Sequence, residues 1–494
     1  MDLSSFVRIL REAGYIPYES SARSRSGIIY LMAAKQGTKY LLLSGDDADF
    51  SGSRLEHRGV SFLLCPLSHQ NCQALRKKFP YTVPVSLHGK AVTFGLGDRL
   101  GLCTGAHIKA LKGTNVFPVL AQQSMRELTL TGRSSQSMLD DVAWQIFEAG
   151  YEGGYAADGD HLKSLDEVRS ALSDGMTMIT LDCSEYIRND ISALTPAAAW
   201  NECRAQFPAR DLARYQNTYC GKTFLLKDGT SVAFPKDTFP YLVLTYGKSL
   251  PFIKDVYTQA ILRSPRRISF EVSIDETDGT TSPEAHYFIA AEMEAMNVKA
   301  DSVAPRFCGD FQKGIDYIGD TDQFQKELAV HASIAETFGY RISIHSGSDK
   351  FRVFPYIGTL GRFHLKTSGT SWVEALRVAA ISNPALFRRM AAFARQSFEA
   401  ARQYYHVTAS LENLPNLEIV QDTQLPDLMD MPDFRQVMHI TYGFLLQAKD
   451  SQGNDVFRKE LYQTLDQHRD ILDEVIAKHI FRHLEKLGAA TVTG

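Results

Sequence analysis

Residues 268–274 read Ile268-Ser269-Phe270-Glu271-Val272-Ser273-Ile274, a short apolar run of the kind that forms a buried β-strand. Shortly after it, Ser282-Pro283-Glu284 places a capping hydroxyl before a proline, a pattern that marks the start of a helix. A strand followed by a helix is the first half of a βαβ unit, which builds parallel sheets. Repetition of this element decides the fold.

The same order of strand and helix recurs along the chain from about residue 92 onward. Ser371-Trp372-Val373-Glu374, for example, is a capping box that opens another apolar helix after a strand. Eight candidate strands alternate with such helices, and eight is the number that closes a TIM-type (β/α)8 barrel. We therefore predict an α/β fold of this type. The predicted strands cover residues 92–96, 116–120, 154–157, 176–181, 268–274, 298–303, 341–345 and 362–365.

Three further segments surround or interrupt the catalytic barrel, which we place at residues 91–385. Residues 1–90 are predicted as an N-terminal α/β segment, because a helical pattern precedes an apolar hairpin around Lys35-Gln36-Gly37. Residues from about 185 to 265 form a long βα-loop insertion with an Asp228-Gly229 turn, and we expect it to cap the active face. Residues 386–494 are predicted as a helical C-terminal extension.

Composition and charge exclude several classes of function. The chain has 53 Lys and Arg against 57 Asp and Glu, a net charge of -4, so it offers no basic field for nucleic acid or an anionic membrane. No apolar stretch approaches the roughly 20 residues that span a bilayer, and the first residues do not resemble a signal peptide. The 7 cysteines are scattered without a C-x-x-C pair, which indicates reduced thiols. We expect a cytoplasmic protein with no nucleic-acid or membrane partner.

Polar side chains follow the predicted strands at their carboxyl ends, which in a βα barrel line a shared mouth. Three histidines are among them: His161 after strand three, His345 at the end of strand seven and His364 in strand eight. Histidine and carboxylate ligands from separate strands are what a catalytic divalent metal ion needs. A structural histidine is the alternative at any single position, but three at corresponding strand ends favour a metal site.

The fifth strand carries an acid in an unusual place. Alternation puts Glu271 on the same face as Ser269 and Ser273, and in a barrel this polar face points inward. Burial there would raise the pKa of Glu271 to a value suited to proton transfer. The alternative is a solvated or salt-bridged acid. For Lys366 the alternative is a surface charge, but its neighbour His364 at a strand end favours contact with an anion or a hydroxyl.

Six motifs at strand ends, in order along the chain, share a more specific pattern. They are Ala121-Gln122-Gln123-Ser124-x-Arg126-Glu127-Leu128, Ala157-Asp158-x-Asp160-His161-x-Lys163, Phe270-Glu271-Val272-Ser273-Ile274-Asp275-Glu276-Thr277, Ala304-Pro305-Arg306-Phe307, His345-Ser346-Gly347-Ser348-Asp349-Lys350-Phe351 and Phe363-His364-Leu365-Lys366-Thr367-x-Gly369-Thr370-Ser371. Together they resemble the D-tagaturonate epimerase family, closely over roughly residues 92–385 and more loosely beyond.

The resemblance implies a divalent-metal-dependent sugar epimerase that interconverts D-tagaturonate and D-fructuronate. Proteins similar to this family also exchange the neutral sugars D-fructose and D-tagatose at C4, and the motifs do not choose between the two substrates. A metal-dependent aldolase or ketose isomerase would use nearly the same residues, and a sugar-binding regulatory protein is the non-enzyme alternative. The expected partner is a sugar or sugar acid. The metal (Zn, Mn, Co, Ni or Fe) and the oligomeric state, including a homo-oligomer, stay open.

On this basis we assign three groups of site residues. The acid/base pair is Asp160 and Glu271, which lie in matched motifs on different strands. The metal ligands are His161, His345, His364 and Asp310, with Gln123 as a further option. The substrate-binding residues are Gln123, Glu127, Arg306, Asp349, Lys350 and Lys366. Among these, Arg306, Lys350 and Lys366 are the candidate cations for a uronate carboxylate.

Overall fold

The computed structural model describes residues 1–191 and 193–489. Its strands are β1 Ile16–Arg25, β2 Ile28–Lys35, β3 Thr38–Leu43, β4 Ser53–His57, β5 Val60–Pro66, β6 Val92–Leu96, β7 Phe117–Ser124, β8 Ala156–Leu162, β9 Met178–Asp182, β10 Thr223–Leu225, β11 Ser231–Ala233, β12 Ser269–Ser273, β13 Ser302–Ala304, β14 Arg341–Ile344 and β15 Phe363–Thr367. Its α-helices are α1 Leu3–Glu12, α2 His69–Lys78, α3 Thr104–Leu111, α4 Met125–Thr131, α5 Ser135–Ala149, α6 Leu165–Asp174, α7 Pro196–Gln206, α8 Ala209–Thr218, α9 Phe239–Tyr246, α10 Ser249–Val256, α11 Pro283–Ala295, α12 Thr321–Phe338, α13 Phe354–Gly358, α14 Thr370–Ser382, α15 Pro384–Arg402, α16 Pro432–Ile440, α17 Tyr442–Gln447, α18 Arg458–Gln467 and α19 Arg469–Lys486. None of the described helices is long and apolar enough to cross a membrane.

Eight parallel strands close into a barrel in the order β12-β13-β14-β15-β6-β7-β8-β9, and β9 pairs with β12. Each predicted strand of the barrel overlaps one of these, because parallel strands buried on both faces are recognisable as apolar runs. The α/β barrel fold class is therefore confirmed. Its axis is lined by polar side chains, among them Thr93 hydrogen-bonded to His364 and Ser302 hydrogen-bonded to Glu271.

The third barrel strand is longer than the sequence suggests and carries a bulge. β8 runs on to Leu162, so that Asp158 and Asp160 lie within the strand and not in the loop after it. The register with β9 shifts between Gly159 and Leu162, and His161 has a φ of 55° in the left-handed region. A bulge at this position changes the direction of the side chains near the strand end.

The N-terminal segment is a five-stranded antiparallel sheet in the order β1-β2-β3-β5-β4, with α1 packed on it. The predicted hairpin joins β2 to β3, and Gln36 and Gly37 at its turn both have positive φ. Strands β1 and β4 are not evident from the sequence, because polar residues interrupt their apolar positions and leave only a weak alternating pattern. Strand β5 is a mostly apolar run that is not among the predicted strands.

The insertion between β9 and β12 contains α7 to α10 and the β10–β11 hairpin, whose loop includes the predicted Asp228-Gly229 turn. It packs outside the barrel against α11, where Phe234 and Tyr219 contact aromatic rings and Arg214 forms an ion pair with Glu292 at 2.5 Å. None of its described residues lines the cavities at the mouth. It also reaches the loop after β12, where Asn189 accepts a hydrogen bond from the Asp278 N–H. That it caps the active face stays a prediction.

Helices of the C-terminal extension pack against the barrel, and α19 contacts both α3 and α14. The segment after α15 brings Tyr405 to the carboxyl ends of the barrel strands. The extension therefore supports the barrel and also contributes to its mouth.

Buried histidines predict a loss of stability in mild acid. Burial lowers the pKa of His107 and His331 to about 4, from an ordinary 6.5, and places the pKa of His286 well below that value. The unfolded chain binds protons at these positions between pH 6.5 and 4, whereas the folded chain does not. We expect the free energy of unfolding to fall with decreasing pH by up to about 1.4 kcal/mol per pH unit for each such histidine.

Urea unfolding followed at pH 7 and pH 5 measures this dependence as a shift of the midpoint. The variant His107→Gln, which can keep the bond to Ser371, should show a smaller shift because one titrating group is removed. A midpoint that is equal at the two pH values would contradict the prediction.

Candidate active site

Two adjoining cavities, an outer one of about 310 Å³ and an inner one of about 350 Å³, lie at the carboxyl ends of the barrel strands and together form the mouth. Both volumes are at the lower end of the roughly 300–1,000 Å³ typical of small-molecule sites. The wall residues that the two cavities share are Arg126, Asp275, Glu276, Lys313, His345, Ser346 and Tyr405. A cavity of about 740 Å³ lies at the opposite end of the barrel, but barrel enzymes carry their chemistry at the carboxyl ends. The mouth is therefore the candidate active site.

Lys366 on β15 is the centre of a buried charge network below the mouth. Its Nζ lies 2.6 Å from Asp160 Oδ1, 2.8 Å from Asp158 Oδ2 and 3.2 Å from Glu271 Oε1, and it also donates to the Thr180 hydroxyl. Burial alone would lower the pKa of Lys366, but the three carboxylates outweigh it and raise that pKa. The ammonium is therefore held charged and fully engaged.

The same network separates the acidities of the neighbouring carboxyls. Burial favours the neutral form of Asp160, but the Lys366 ammonium outweighs burial and lowers its pKa to about 2. For Asp158 burial dominates over Lys366 and raises the pKa to about 6. Of these two, only Asp160 lines the mouth, so it is placed there as an ionised carboxylate.

Glu271 on β12 lies deeper in the barrel and is fully buried. Its Oε1 is 2.8 Å from His345 Nε2, and its Oε2 accepts a hydrogen bond of 2.5 Å from Ser302. Burial would raise its pKa, but Lys366 and His345 outweigh this effect and lower the pKa well below the ordinary value. The predicted raised pKa of Glu271 is wrong, because the sequence does not reveal the cations beside it.

Two of the three predicted histidine ligands face each other at the mouth. The rings of His161 and His345 have centroids 4.9 Å apart, and both residues line the inner cavity. His161 Nδ1 lies 3.6 Å from Asp182 Oδ2, and His345 Nδ1 lies 3.0 Å from Asp275 Oδ2. One ligand atom from each of His161, Asp182 and Glu276 lies within 4.8 Å of the other two, a spacing that suits a metal ion.

The structure places His364 and Asp310 away from this pair. His364 is fully buried inside the barrel, where its Nδ1 is 2.8 Å from the Thr93 hydroxyl and its Nε2 has no hydrogen-bond partner in the described chain. Burial lowers the pKa of His364 to about 3, so this ring is neutral. Asp310 lies on the wall of the outer cavity, 3.8 Å from His406, and accepts a hydrogen bond from Gln312.

Charge at the mouth is unbalanced toward negative. The fully engaged ammonium of Lys366 contacts three carboxylates, while three barrel strands and the loops that follow them supply six in all. These carboxylates are Asp158, Asp160, Asp182, Glu271, Asp275 and Glu276. Four of them, Asp158, Asp160, Asp182 and Glu271, are buried, and buried carboxylates in such excess need a compensating cation. Together with the paired imidazoles, they form a donor set that fits a divalent metal ion.

Gln123 and Glu127 contact arginines rather than the open cavity. Gln123 accepts a 2.7 Å hydrogen bond from Arg133, and its neighbour Gln122 lines the mouth because side chains alternate along β7. Glu127 Oε1 accepts two hydrogen bonds from Arg99, while its Oε2 has no partner within the described residues. Glu127 lies in the wall of the inner cavity, and its unpartnered Oε2 is itself buried.

Asp349 braces the loop that follows β14. Its carboxylate accepts from Arg435 at 3.0 Å and from His479 at 2.7 Å, and its backbone N–H donates to His483. These three residues belong to α16 and α19. Asp349, His479 and His483 also have the spacing of a metal site, but these bonds already occupy the His483 Nε2 and both Asp349 oxygens. The cluster therefore ties the C-terminal extension to the loop that carries His345.

Lys350 and Arg306 donate to backbone carbonyls. Lys350 is fully buried, and its Nζ donates to the carbonyls of Gln312, Ile315 and Ser348 at 2.7–2.8 Å. Arg306 lines the outer cavity and donates to the carbonyl of Thr277. Lys350 thus joins the loops after β13 and β14 and does not reach the mouth.

Several residues of the mouth are not among the sequence candidates. Asp182 ends β9 and Glu276 follows β12, so the strand-end rule that identified the histidines also selects these two acids, although no role is assigned to them from the sequence. Lys313, in the long loop after β13, and Tyr405, in the C-terminal extension, carry no sequence signal that points to the mouth. They reach it only through the tertiary fold.

Comparisons with known proteins agree over nearly the whole chain. A family model described as UxaE, tagaturonate epimerase, matches residues 18–487. A Thermotoga maritima protein named tagaturonate/fructuronate epimerase is 39% identical over 482 residues, which cover 96% of this chain and 97% of that protein. Native and glycerol-bound crystal structures of fructuronate-tagaturonate epimerase UxaE from Cohnella laeviribosi share 42% identity at a TM-score of 0.94, covering 98% of this chain and 99% of theirs. The likeness includes the flanking segments as well as the barrel.

Proposed function

Since the chain belongs to the tagaturonate epimerase family, we propose that it interconverts D-tagaturonate and D-fructuronate with a divalent metal ion bound at the mouth of the barrel. Family membership makes the protein an isomerase-class enzyme, an epimerase, as the sequence motifs predicted. The observation that supports the metal is the pair of imidazoles, His161 and His345, set among an excess of carboxylates. The cytoplasmic location and the oligomeric state stay predictions.

The residues proposed to hold the ion are His161, Asp182 and Glu276, whose ligand atoms lie within 4.8 Å of one another. His345 faces His161 and is proposed as a further ligand, which would have to exchange a contact with Glu271 or Asp275 for the ion. When bound, a divalent ion supplies Lewis-acid polarisation of the ketose carbonyl and its neighbouring oxygen. Zn, Mn, Co, Ni and Fe all suit such a donor set. His364 lies deeper in the barrel, but its unpartnered Nε2 supports keeping it as a further candidate ligand. Asp310 is the weaker candidate, because it lies on the wall of the outer cavity beside His406.

The position of the stereocentre limits the chemistry. With the ketone at C2, the epimerised C4 is β to the carbonyl, so its hydrogen is not acidified by enolisation. Cleavage of C3–C4 in a retro-aldol step, rotation of the aldehyde and re-addition on its other face inverts C4 without removing that hydrogen. A base must take the C4 hydroxyl proton and return it.

Asp160 is the group proposed to move this proton. It lines the mouth and Lys366 keeps it ionised, so it can accept a proton from a bound hydroxyl. Glu271, the other member of the predicted acid/base pair, does not line the mouth and contacts His345 and Lys366. We therefore propose that Glu271 acts through these two residues, by fixing their positions.

The test is incubation of the metal-reconstituted protein with D-tagaturonate, D-fructuronate, D-fructose and D-tagatose in D2O, followed by NMR. We expect the two uronates to interconvert without deuterium at C4, because the retro-aldol route keeps that hydrogen. Deuterium at C4 would instead indicate deprotonation after the carbonyl has moved, and exchange of only the neutral sugars would indicate a ketohexose epimerase.

The same spectra distinguish an epimerase from an aldolase, a ketose isomerase and a sugar-binding protein. Release of free three-carbon fragments would identify an aldolase, and accumulation of an aldose would identify an isomerase. Binding of the sugars without any product would identify a sugar-binding protein and contradict the proposal.

A further inference from the structure

We propose that Lys313 and Arg126 form the subsite that binds the substrate carboxylate and so distinguishes a uronate from a neutral ketose. This inference rests on the proposed uronate epimerase function. Both residues line both cavities of the mouth. They come from different elements, the loop after β13 and the first turn of α4.

Two of the three cations expected from the sequence, Lys366 and Lys350, are already bonded within the protein. Lys366 lies among Asp158, Asp160 and Glu271, so its charge is balanced by the protein. Lys350 donates its hydrogen bonds to backbone carbonyls and is fully buried. Arg306 donates through one nitrogen to the carbonyl of Thr277 and lines only the outer cavity, so it does not reach the wall that both cavities share. A substrate anion would have to compete with these internal partners.

Lys313, in contrast, has an ammonium that is nearly free. Its Nζ contacts the Ser368 hydroxyl at 3.4 Å, and no carboxylate in the described part of the chain lies within 4.0 Å of it. Its backbone is fixed, because Gln436 donates to the Lys313 carbonyl at 3.1 Å and to Gln312 Oε1 at 3.0 Å. Lys350 holds the carbonyl of Gln312. A fixed backbone therefore presents an unpaired cation to the mouth. Because this segment is already ordered, less conformational entropy is lost when a substrate binds.

Arg126 supplies a second cation at the same wall. One nitrogen, Nη1, donates to the carbonyl of Tyr404 at 3.1 Å, and the guanidinium lies over the ring of Tyr405 at 4.7 Å. Its remaining nitrogens have no hydrogen-bond partner within residues 1–191 and 193–489. A guanidinium held flat in this way can bind a carboxylate through two parallel N–H groups.

The electrostatic surroundings of Lys313 support its role. Burial lowers its pKa to about 8; Arg99 and Arg126 also lower it, while Glu127 and Asp160 act in the opposite direction. Lys313 is therefore charged below about pH 8 and neutral above it. An incoming carboxylate would stabilise the charged form, and binding of a uronate should weaken as the pH rises through this range.

The experiment compares the variants Lys313→Met and Lys313→Arg with the wild-type metal-loaded enzyme. The readouts are kcat and KM for D-tagaturonate, and calorimetric Kd values for D-tagaturonate and for neutral D-tagatose. Loss of a charge-assisted hydrogen bond should raise the uronate KM and Kd of Lys313→Met about 10- to 100-fold, with the Kd for D-tagatose unchanged. Lys313→Arg should keep most of the affinity, and its KM should no longer rise above about pH 8.

Lys299→Met is the matched control, because Lys299 is an exposed lysine at the opposite end of the barrel. An unchanged uronate Kd in Lys313→Met, or an equal loss of affinity for both sugars, would overturn the subsite. If the wild-type enzyme binds D-tagaturonate but does not convert it, the proposed function fails. The calorimetric comparison still decides the subsite in that case.

Discussion

Replacing Lys366 with methionine is expected to lower kcat by about 10²- to 10⁴-fold and the free energy of unfolding by about 3–5 kcal/mol. The ammonium is the internal counter-ion of Asp158, Asp160 and Glu271, which are all buried. Without it these carboxylates repel one another, and Asp160 loses the partner that holds it ionised and in place. Steady-state kinetics and chemical unfolding measure the two effects.

A second variant separates catalysis from folding. Adding Asp158→Asn to Lys366→Met removes one of the uncompensated carboxylates, and Asp158 does not line the mouth. The double variant should regain part of the lost stability but none of the lost activity. A Lys366→Met enzyme as stable and active as the control Lys299→Met would refute the role given to this ammonium.

Replacing His345 with alanine is expected to remove the metal ion as well as the activity. His345 faces His161 and contacts the buried Glu271. Its loss therefore removes one proposed ligand and also the contact between the mouth and the buried charge network around Lys366. Loss of an outer-shell partner alone costs roughly 10- to 100-fold in metal affinity or activity, and loss of a ligand should exceed this. Elemental analysis after dialysis measures bound metal independently of turnover.

His88→Ala is the matched control, because His88 is half exposed and lies at the other end of the barrel. It should keep the metal content and activity of the wild type. Chelation should likewise inactivate the wild-type enzyme, and added divalent metal should restore it. Undiminished metal content in the His345→Ala protein would remove His345 from the ligand set.

The sequence predicts the barrel well because each of its strands is buried on both faces and is recognisable as an apolar run. The sequence also identifies Asp160, His161 and His345, since polar residues at strand ends of a barrel converge on one mouth. The sequence does not predict the direction in which a side chain points within a loop. Lys350 lies in a matched motif, yet its ammonium is turned toward three carbonyls, and only the folded loop shows this.

Lys313 shows the opposite: it lies outside the matched motifs, in an irregular loop without a periodic pattern, and yet it lines the mouth. Its place at the mouth depends on Gln312 and Gln436, which are distant in sequence from each other. The raised pKa expected for Glu271 failed for a related reason. Burial could be inferred from the alternation within β12, but the neighbouring cations come from two other strands.

The brace between Asp349 and α19 has a consequence for the order in which the enzyme is assembled during synthesis. The last barrel strand ends at Thr367, whereas α19 begins at Arg469. All eight strands therefore leave the ribosome and can pair well before His479 and His483 are available to fix the loop after β14. We therefore expect a nascent barrel to close first, and the loop that carries His345 to be braced only when this late helix docks.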